Sequence, residues 1–428
     1  MASLSLVAQA SADSNAPEEV ETSSMIHRLL RYFTIRLLSQ IEGGCLELQT
    51  AEETYFLGDS QSSLRAKVVI HDARAYRLGL FQGEVGFGLA YMKGYWSSPD
   101  PVALVRLVVR GMTRLTQDRG VLSWLGKKIN RRRHRSKDNH LQGSRANIAH
   151  HYDLGNDFYR LWLDPTLAYS CAYYRHSEDS LEVAQIHKFA RIAEKLRLNS
   201  HDRVLEIGTG WGGFALYAAK QFGCHVTTTT ISQQQYDYAQ ALFEREGLNH
   251  LIDIRFEDYR ILQGTFSKIV SIEMFEAVGL KHYDDYFRCI SQRLERGGLA
   301  LIQTITMNET QWDTYIHGTD WIQQYIFPGA ELASLSEVLK SLGRTGSLRV
   351  LHHEDIGAHY HRTLDTWRQN FWTHIDQVRT LGYSEEFIRM WDWYLAYCSG
   401  AFAERYIGDS QLLLGHPEVV GVNHEPWG

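Results

Sequence analysis

Residues 204–213 are Val-Leu-Glu-Ile-Gly-Thr-Gly-Trp-Gly-Gly, an apolar strand that continues directly into a turn dense in glycine. Gly208, Gly210 and Gly212 alternate along this turn, and glycine permits positive φ and a close approach of a ligand to the backbone. Residues 214–220 have a helical pattern, and the amides at a helix N-terminus favour an anionic group. The stretch therefore predicts a ligand-binding strand-turn-helix unit, although a lone glycine turn can also be a tight connection and nothing more.

The acid within this turn favours one kind of ligand. Glu206 lies two residues before Gly208, and the spacing differs from the G-x-G-x-x-G pattern of dinucleotide-binding turns. A carboxylate here suits the ammonium group of S-adenosylmethionine better than the pyrophosphate of NAD. At the end of the next strand, where many nucleoside-binding sheets have an acid, residues 229–232 are Thr-Thr-Ile-Ser. We therefore expect amides or hydroxyls to hold the ribose, with Gln235 as a partner.

Strands and helices alternate through the second part of the chain. We predict helices at 213–221 and 232–246, further helices between the later strands, and strands at 203–207, 225–231, 252–256, 268–272 and 299–305. Such alternation predicts a parallel sheet covered by helices on both faces, with the ligand beyond the carboxyl ends of the strands. The expected fold class is α/β, a Rossmann-like domain that binds S-adenosylmethionine, preceded by a small α+β N-terminal domain.

The composition excludes several classes of protein. The 428 residues are 44% hydrophobic and 22% charged, as in ordinary globular proteins, and the net charge of −6 gives no general basic field for nucleic acid. The five cysteines are widely spaced and form no CxxC pair, which argues against a disulfide framework and a zinc site, so no metal is predicted. We recognise neither a signal peptide nor a membrane-spanning segment and expect a cytoplasmic protein.

The predicted domain division places a basic linker between two folded units. We expect a disordered tail at 1–24, an N-terminal domain at 25–125, the linker at 126–145 and the Rossmann-like domain at 146–428. Within the linker, residues 127–137 include seven Lys or Arg among eleven residues. Such a run is either a solvated connection or a contact with an anionic membrane surface.

The N-terminal domain has mixed signals. Helical patterns occupy 25–41 and 101–115, whereas 44–57 and 63–70 resemble strands. The segment 87–96 is unusually aromatic, and we interpret it as the core of a small domain, with contact to a lipid-like ligand as the alternative.

Six motifs in the second part of the chain resemble those of the cyclopropane fatty acid synthase family, which includes the mycolic acid cyclopropane synthases and related fatty-acyl C-methyltransferases. The motifs follow the family's order and are HHYDLGNDFYRLWLDPTLAYSCAYY (150–174), VLEIGTGWGG (204–213), SIEMFEAVG (271–279), LIQTITM (301–307), YIFPG (325–329) and HYHRTLDTW (359–367). The resemblance implies methyl(ene) transfer from S-adenosylmethionine to the cis double bond of an unsaturated acyl chain of a phospholipid, forming a cyclopropane fatty acid.

The resemblance also implies the residues of the site. The base in the family is a bound bicarbonate, and the positions that match its ligands are Cys171, Glu276, Gln303, Ile305 (through its backbone) and Tyr360. Tyr152 offers a ring face that would stabilise a carbocation. For the cofactor, the resemblance and the glycine turn together indicate Tyr169, Ser170, Glu206, Gly208, Gly210 and Gly212 at the methionine end, Thr230, Ile231 and Gln235 at the ribose, and Glu257 and Asp258 at the adenine.

Gln303 departs from the family's pattern, because many members have His at this position. Gln can donate a hydrogen bond to bicarbonate but cannot carry a proton. Either neutral donors hold the anion, or the reaction stops at a methylene- or methyl-branched chain without ring closure. Each site residue also has a simpler interpretation: Cys171 as a small buried hydrophobe, Glu276 as a helix-terminus charge and Tyr360 as a surface residue.

The rival from another class is a non-catalytic lipid-binding protein on a methyltransferase fold. The implied partners are a membrane phospholipid with unsaturated acyl chains, an anionic membrane surface contacted peripherally, and a second copy in a homodimer, but no nucleic acid.

Overall fold

The computed structural model describes residues 19–115, 154–346 and 348–419. The first part of the chain contains α1 (Glu19–Leu38), β1 (Cys45–Gln49), β2 (Thr54–Gly58), β3 (Arg65–Ile70), α2 (Arg74–Met92), β4 (Trp96–Ser97) and α3 (Pro101–Leu115). Its strands form one sheet in the order β2-β1-β3-β4, in which β1 is antiparallel to β2 and parallel to β3. Helix α1 begins at Glu19, within the segment predicted as a disordered tail.

Two local features of this part differ from the sequence prediction. Residues 44–57 form a hairpin of β1 and β2, because the Thr50 amide donates to the Glu53 carbonyl (2.8 Å) and the Thr50 hydroxyl accepts from the Glu53 amide (3.0 Å). Helix α2 was not predicted, since its several glycines lower helix propensity. Gly83 kinks it with φ +58°, and Gly88 allows it to approach Trp321, whose ring would lie 2.4 Å from an added Cβ.

The second part of the chain contains one seven-stranded sheet, in the order β10-β11-β9-β8-β5-β6-β7. Its strands are β5 (Arg203–Ile207), β6 (His225–Thr229), β7 (Ile252–Arg255), β8 (Phe266–Ile272), β9 (Leu294–Met307), β10 (Arg349–Asp355) and β11 (Ile407–Gly415). Its helices are α4 (Asn156–Arg160), α5 (Leu181–Leu196), α6 (Gly213–Phe222), α7 (Gln233–Arg245), α8 (Tyr283–Arg293), α9 (Glu309–Tyr315), α10 (Trp321–Tyr325), α11 (Leu335–Thr345), α12 (Tyr360–Thr373), α13 (Ile375–Thr380) and α14 (Glu385–Ala403).

The sheet is mixed and not fully parallel. The five predicted strands, β5 to β9, pair in parallel, but β11 is antiparallel to both of its neighbours, β9 and β10. The prediction of an all-parallel sheet was wrong because it rested on the alternation of strands and helices up to residue 305, which excludes β10 and β11.

Helices cover both faces of this sheet, as predicted. Val204 and Leu205 are neighbours on β5 but belong to different buried apolar clusters, and the same holds for Ile269 and Val270 on β8. Because successive side chains of a strand point to opposite faces, the two clusters lie on opposite sides of the sheet.

A third apolar cluster joins the first part of the chain to α14. Val105 on α3 packs against Gly400, where an added Cβ would lie 2.6 Å from the Val105 side chain. The Tyr91 hydroxyl donates to the buried Asp392 carboxylate at 2.5 Å. Trp96 is fully buried and stacks on Phe87, so the aromatic segment 87–96 is core, as interpreted. Among the described residues, no helix has both the length and the apolar character needed to cross a membrane. The segment proposed as a linker, 126–145, lies outside the described residues.

Candidate active site

The glycine turn between β5 and α6 forms one wall of a cleft at the carboxyl ends of the parallel strands. The cleft encloses about 1140 Å³, including its opening to solvent. Gly208 and Gly210 have φ of +96° and +53°, which L-residues rarely adopt. Ten of the eleven predicted cofactor residues line the cleft: Tyr169, Ser170, Glu206, Gly208, Gly210, Thr230, Ile231, Gln235, Glu257 and Asp258.

The turn itself uses part of its hydrogen-bonding capacity internally. The amides of Gly208 and Thr209 both donate to the Thr229 carbonyl, at 3.1 and 2.9 Å, which ties the turn to the end of β6. Gly212 is not among the residues that line the cleft. It precedes α6 with φ +89°, and an added Cβ would lie 2.8 Å from the Phe243 ring. Gly212 is therefore required for packing of the turn against α7.

Glu206 ends β5 as a buried carboxyl group on the wall of the cleft. The Thr228 hydroxyl donates to it at 2.6 Å, and burial raises the pKa of Glu206 to about 8. An ammonium group in the cleft would favour the ionised form, because an adjacent opposite charge compensates for desolvation. The residue thus fits the ammonium of an amino-acid ligand.

Hydrogen bonds also orient Gln235 and Asp258, two further predicted cofactor residues. The Thr230 hydroxyl donates to the Gln235 amide oxygen (3.0 Å), so the N–H groups of that amide are the part that can donate to a ligand hydroxyl. The Asp258 carboxylate accepts two hydrogen bonds from the Arg260 guanidinium, at 2.8 and 2.7 Å, and one from the Arg260 backbone amide, at 3.0 Å. Asp258 is thus positioned by an ion pair with another residue of the cleft.

The predicted bicarbonate ligands come together beside this cleft, around a residue that the sequence did not single out. The Glu273 carboxylate accepts from the Cys171 amide (2.7 Å), the Gln303 side-chain amide (2.9 Å) and the Tyr360 hydroxyl (2.6 Å). Cys171, Gln303 and Tyr360 are buried, whereas Glu273 lines the cleft. The simpler interpretation of Tyr360 as a surface residue is wrong.

Glu276 forms the second half of this cluster. One of its oxygens accepts from the Ile305 amide (2.5 Å) and the Thr304 hydroxyl (2.9 Å). Its Oε2 is buried without a hydrogen-bond partner in the part of the chain that the structure describes. Burial, followed by repulsion from Glu273, raises the pKa of Glu276 to about 7. Near neutral pH this group therefore exchanges between carboxyl and carboxylate.

A chain of hydrogen bonds fixes the orientation of the Gln303 amide. Lys195 carries only donors and points Nζ at the Gln411 oxygen (2.7 Å), so the Gln411 nitrogen donates to the Gln303 oxygen (3.0 Å). The Gln303 nitrogen consequently faces two acids, Glu273 (2.9 Å) and Asp409 (2.8 Å). The buried Lys195 thus determines that Gln303 presents both N–H groups to carboxyl groups.

Two further charged residues complete the site, and neither was predicted. Asp409 on β11 is fully buried, and burial together with the charges of Glu273 and Glu276 raises its pKa well above the usual range. Lys188 on α5 is also fully buried and donates to the Ser170 hydroxyl at 2.5 Å. Burial lowers the pKa of Lys188, and the nearby Glu273 opposes that effect. The cluster therefore places Asp409, whose ionisation is disfavoured, and the Lys188 amine close to the Glu273 carboxylate.

One signal in the sequence would have pointed to Glu273. It directly follows β8, at the strand edge where α/β sheets bind ligands, and precedes Glu276 by three residues. Its φ of +48° is uncommon for a residue other than glycine and is a conformation concentrated at functional sites. That backbone geometry is visible only in the structure. Tyr152 and the basic stretch 127–137 lie outside the described residues.

Comparison with known proteins shows the family of the chain. The family model described as "Mycolic acid cyclopropane synthetase" matches residues 139–412, more than half of the chain. The protein belongs to this family. The resemblance found in the sequence motifs and the α/β methyltransferase fold are thereby confirmed, and the chain is an S-adenosylmethionine-dependent methyltransferase of the fatty-acyl-modifying type.

Three relatives illustrate the range of this family. The chain is 36% identical over 358 residues to the cyclopropane-fatty-acyl-phospholipid synthase of Escherichia coli (strain K12), covering 81% of this chain and 86% of that protein. It is 35% identical over 350 residues to the tuberculostearic acid methyltransferase UfaA1 of Mycobacterium tuberculosis, covering 80% and 81%. The crystal structure of mycolic acid cyclopropane synthase CmaA1 complexed with SAH and CTAB is 29% identical with a TM-score of 0.59, covering 63% of this chain and 97% of that one.

Proposed function

We propose that this protein transfers a methyl group from S-adenosylmethionine to the cis double bond of an unsaturated acyl chain of a phospholipid and closes a cyclopropane ring. The observation that carries the proposal is the position of Glu273. This carboxylate is held by three donors and lines the same cleft as the predicted cofactor residues. A site for this reaction needs a cofactor cleft and an adjacent base, and the chain has both.

The residues of the cleft fit the cofactor's two polar ends. Glu206 would bind the ammonium of the methionine end, and the positive-φ glycines allow that end to lie against the backbone. Thr230, Ile231 and Gln235 would line the ribose. When bound, S-adenosylmethionine supplies an electrophilic methyl on a sulfonium.

A cluster of aromatic rings connects the cleft with the carboxylate. The Tyr169 ring lies 5.5 Å from that of Trp367, which lies 6.0 Å from the Tyr360 ring. Ring faces stabilise a cation, and such a surface also excludes water that would otherwise capture it. Together with the negative charge of Glu273, these rings favour a carbocation on the acyl chain over the neutral alkene.

We infer that Glu273 takes the role that the family resemblance assigned to bicarbonate. Three of the donors predicted for bicarbonate, on Cys171, Gln303 and Tyr360, are bound to Glu273, and a fourth, the Ile305 amide, is bound to Glu276. An additional anion here would compete for those donors and be repelled by the carboxylate. The residues therefore do not fit bicarbonate, and no step is assigned to it.

The proton balance follows from this arrangement. The alkene's electron pair would form the new carbon–carbon bond to the methyl group of S-adenosylmethionine, while the methyl–sulfur bond breaks and its electrons stay on sulfur, which gives S-adenosylhomocysteine. A cation is then left on the neighbouring carbon of the acyl chain. Glu273 then accepts a proton from the added methyl, and the electrons of that C–H bond close the ring. A carboxylate already fixed by three donors needs no movement before it accepts the proton, which favours prompt ring closure over rearrangement of the cation.

A branched product is the second candidate, and Gln303 favours it. A hydride shift along the acyl chain before proton loss would give a methylene branch, and the Gln303 amide cannot carry the proton away from Glu273. The relatives include both a cyclopropane synthase and a tuberculostearic acid methyltransferase by name. Hydrogenation of the isolated product distinguishes the two, because a methylene is saturated under mild conditions that leave a cyclopropane intact.

We further propose peripheral contact with an anionic membrane surface, where the phospholipid substrate resides. The homodimer stays a prediction that light scattering of the purified protein tests. A non-catalytic lipid-binding protein would bind vesicles but transfer no labelled methyl group to the lipid.

A further inference from the structure

Helix α1 presents an apolar surface away from the rest of the protein. Within residues 25–38 the sequence is MIHRLLRYFTIRLL, and six large apolar or aromatic side chains are about half exposed or more. Their exposed fractions are 76% for Met25, 57% for Ile26, 55% for Leu29, 57% for Tyr32, 48% for Phe33 and 50% for Leu37. At 100° per residue these positions occupy a continuous stripe on one side of the helix. We call this stripe the α1 apolar face.

The opposite side of α1 is the one that contacts the protein, and it is partly polar. Ile35 and Leu38 pack against the buried cluster around α2 and α3. On the same side Arg31 pairs with Glu52, and the Thr34 hydroxyl donates to the Leu30 carbonyl. A helix that faces water normally turns its polar residues outward. The exposure of these apolar side chains indicates that an apolar partner covers the α1 apolar face in the functional protein.

The charges of residues 25–38 indicate the chemistry of the partner that binds the α1 apolar face. Residues 25–38 contain three arginines and no acid. Arg28 and Arg36 are exposed together with the α1 apolar face, whereas Arg31 is engaged with Glu52. An occupant must therefore accept apolar side chains and carry negative charge beside them. The interface of an anionic phospholipid bilayer has both properties.

A second copy of the chain fits this face less well. A two-fold contact through α1 would bring Arg28 and Arg36 close to the same residues of the other copy, with no acid in the segment to neutralise them.

We propose that α1 is an interfacial helix whose apolar face inserts among the headgroups of an anionic bilayer while Arg28 and Arg36 bind lipid phosphates. This inference rests on the proposed function, since the bilayer would hold the substrate. The membrane contact is thereby assigned to a folded surface of the protein. Because salt screens the arginine contacts but not the insertion of apolar side chains, part of the membrane binding should persist at high salt.

The test compares two double variants of matched exposure. Leu29→Ser with Phe33→Ser alters the α1 apolar face, and Leu339→Ser with Leu381→Ser alters side chains of 54% and 46% exposure elsewhere in the chain. Sedimentation with vesicles of phosphatidylglycerol and phosphatidylcholine measures binding at low and high salt. We expect the first pair to lower partitioning at least tenfold at both salt concentrations and the second pair to leave it unchanged. Arg28→Gln with Arg36→Gln should lower binding to the anionic vesicles, about fivefold per arginine, but not to pure phosphatidylcholine.

A second measurement separates this inference from the proposed function. Methyl transfer from labelled S-adenosylmethionine is measured on unsaturated phospholipid in vesicles and in detergent micelles. The α1 variants should lose activity on vesicles in proportion to binding and keep it on micelles. Absence of transfer by the wild type on micelles would count against the proposed function, while the sedimentation result would still report on α1. Unchanged vesicle binding, a melting temperature lowered by several degrees, or an altered oligomeric mass would each overturn the membrane assignment.

Discussion

Replacing Glu273 by Gln removes the proposed base while leaving its hydrogen bonds in place. The Gln oxygen can keep the hydrogen bonds from the Cys171 amide and the Gln303 amide, which both reach Oε1 of Glu273. The Gln nitrogen then faces the Tyr360 hydroxyl, which can rotate and accept where it now donates. We therefore expect the Glu273→Gln protein to fold with nearly the wild-type melting temperature.

The expected loss of activity follows from the chemistry that Gln cannot perform. An amide does not accept a proton from carbon near neutral pH, and a positioned general base contributes about 10²–10⁴-fold to the rate. This range corresponds to about 3–5 kcal/mol of transition-state stabilisation. Affinity for S-adenosylhomocysteine should change little, because the assigned contacts of the cofactor are made by the glycine turn and Glu206.

The assay measures turnover on detergent-dispersed unsaturated phospholipid and, separately, cofactor affinity by calorimetry. Glu309→Gln serves as the control, since that carboxylate binds Ser334 and Ser336 outside the cleft. Wild-type activity should also persist in buffer depleted of bicarbonate. Turnover of Glu273→Gln within a few fold of the wild type, or loss of wild-type activity on bicarbonate depletion, would refute the role given to Glu273.

Three other predictions concern neighbouring residues. Lys195→Met should reduce turnover about tenfold with unchanged cofactor affinity, because the Gln411 and Gln303 amides lose their fixed orientation and a charged hydrogen bond is worth about 1.5–3 kcal/mol. Lys195→Arg should recover part of the loss. Turnover of the Met variant equal to that of the wild type would contradict this prediction. Glu276→Gln should cut turnover while leaving cofactor affinity nearly intact. The raised pKa of Glu276 means that the contribution of this residue to the free energy of unfolding is fully present below pH ~4.5 and is lost as pH rises through about 7. Calorimetry should therefore find the Glu276→Gln protein more stable than the wild type at pH 8.5, by at most about 3 kcal/mol, but not at pH 4.5. Glu206→Gln should weaken S-adenosylhomocysteine binding by ~10- to 100-fold, and an unchanged Kd would remove Glu206 from the ammonium site.

Local patterns predicted much of the lining of the cleft. The glycines at 208 and 210 and the strand before them are contiguous in sequence, and their positive φ and position at the strand end follow from that order. The same locality explains why β5 to β9 could be predicted. Helix α2 was missed because its glycines oppose helix formation, and tertiary contacts with α14 stabilise it nonetheless.

The base half of the site depends on contacts between distant segments. Glu273 and its three donors, Cys171, Gln303 and Tyr360, come from four different parts of the chain, and only the family motifs brought the three donors together beforehand. Asp409 reaches the cluster because β11 pairs antiparallel with β9, a pairing that strand-helix alternation does not specify. The family motifs therefore indicated the three donors but not the carboxylate that accepts their hydrogen bonds.

The most direct test of the proposed reaction follows the methyl group into the lipid. The purified protein is incubated with S-adenosylmethionine bearing a CD3 group and with a cis-unsaturated phospholipid in detergent, and the acyl chains are analysed by mass spectrometry and NMR. The proposal predicts an acyl chain enlarged by one CD2 unit, with the double bond replaced by a cyclopropane ring that survives mild hydrogenation. A branched chain would contradict ring closure, and absence of deuterium from the lipid would contradict the proposed function as a whole.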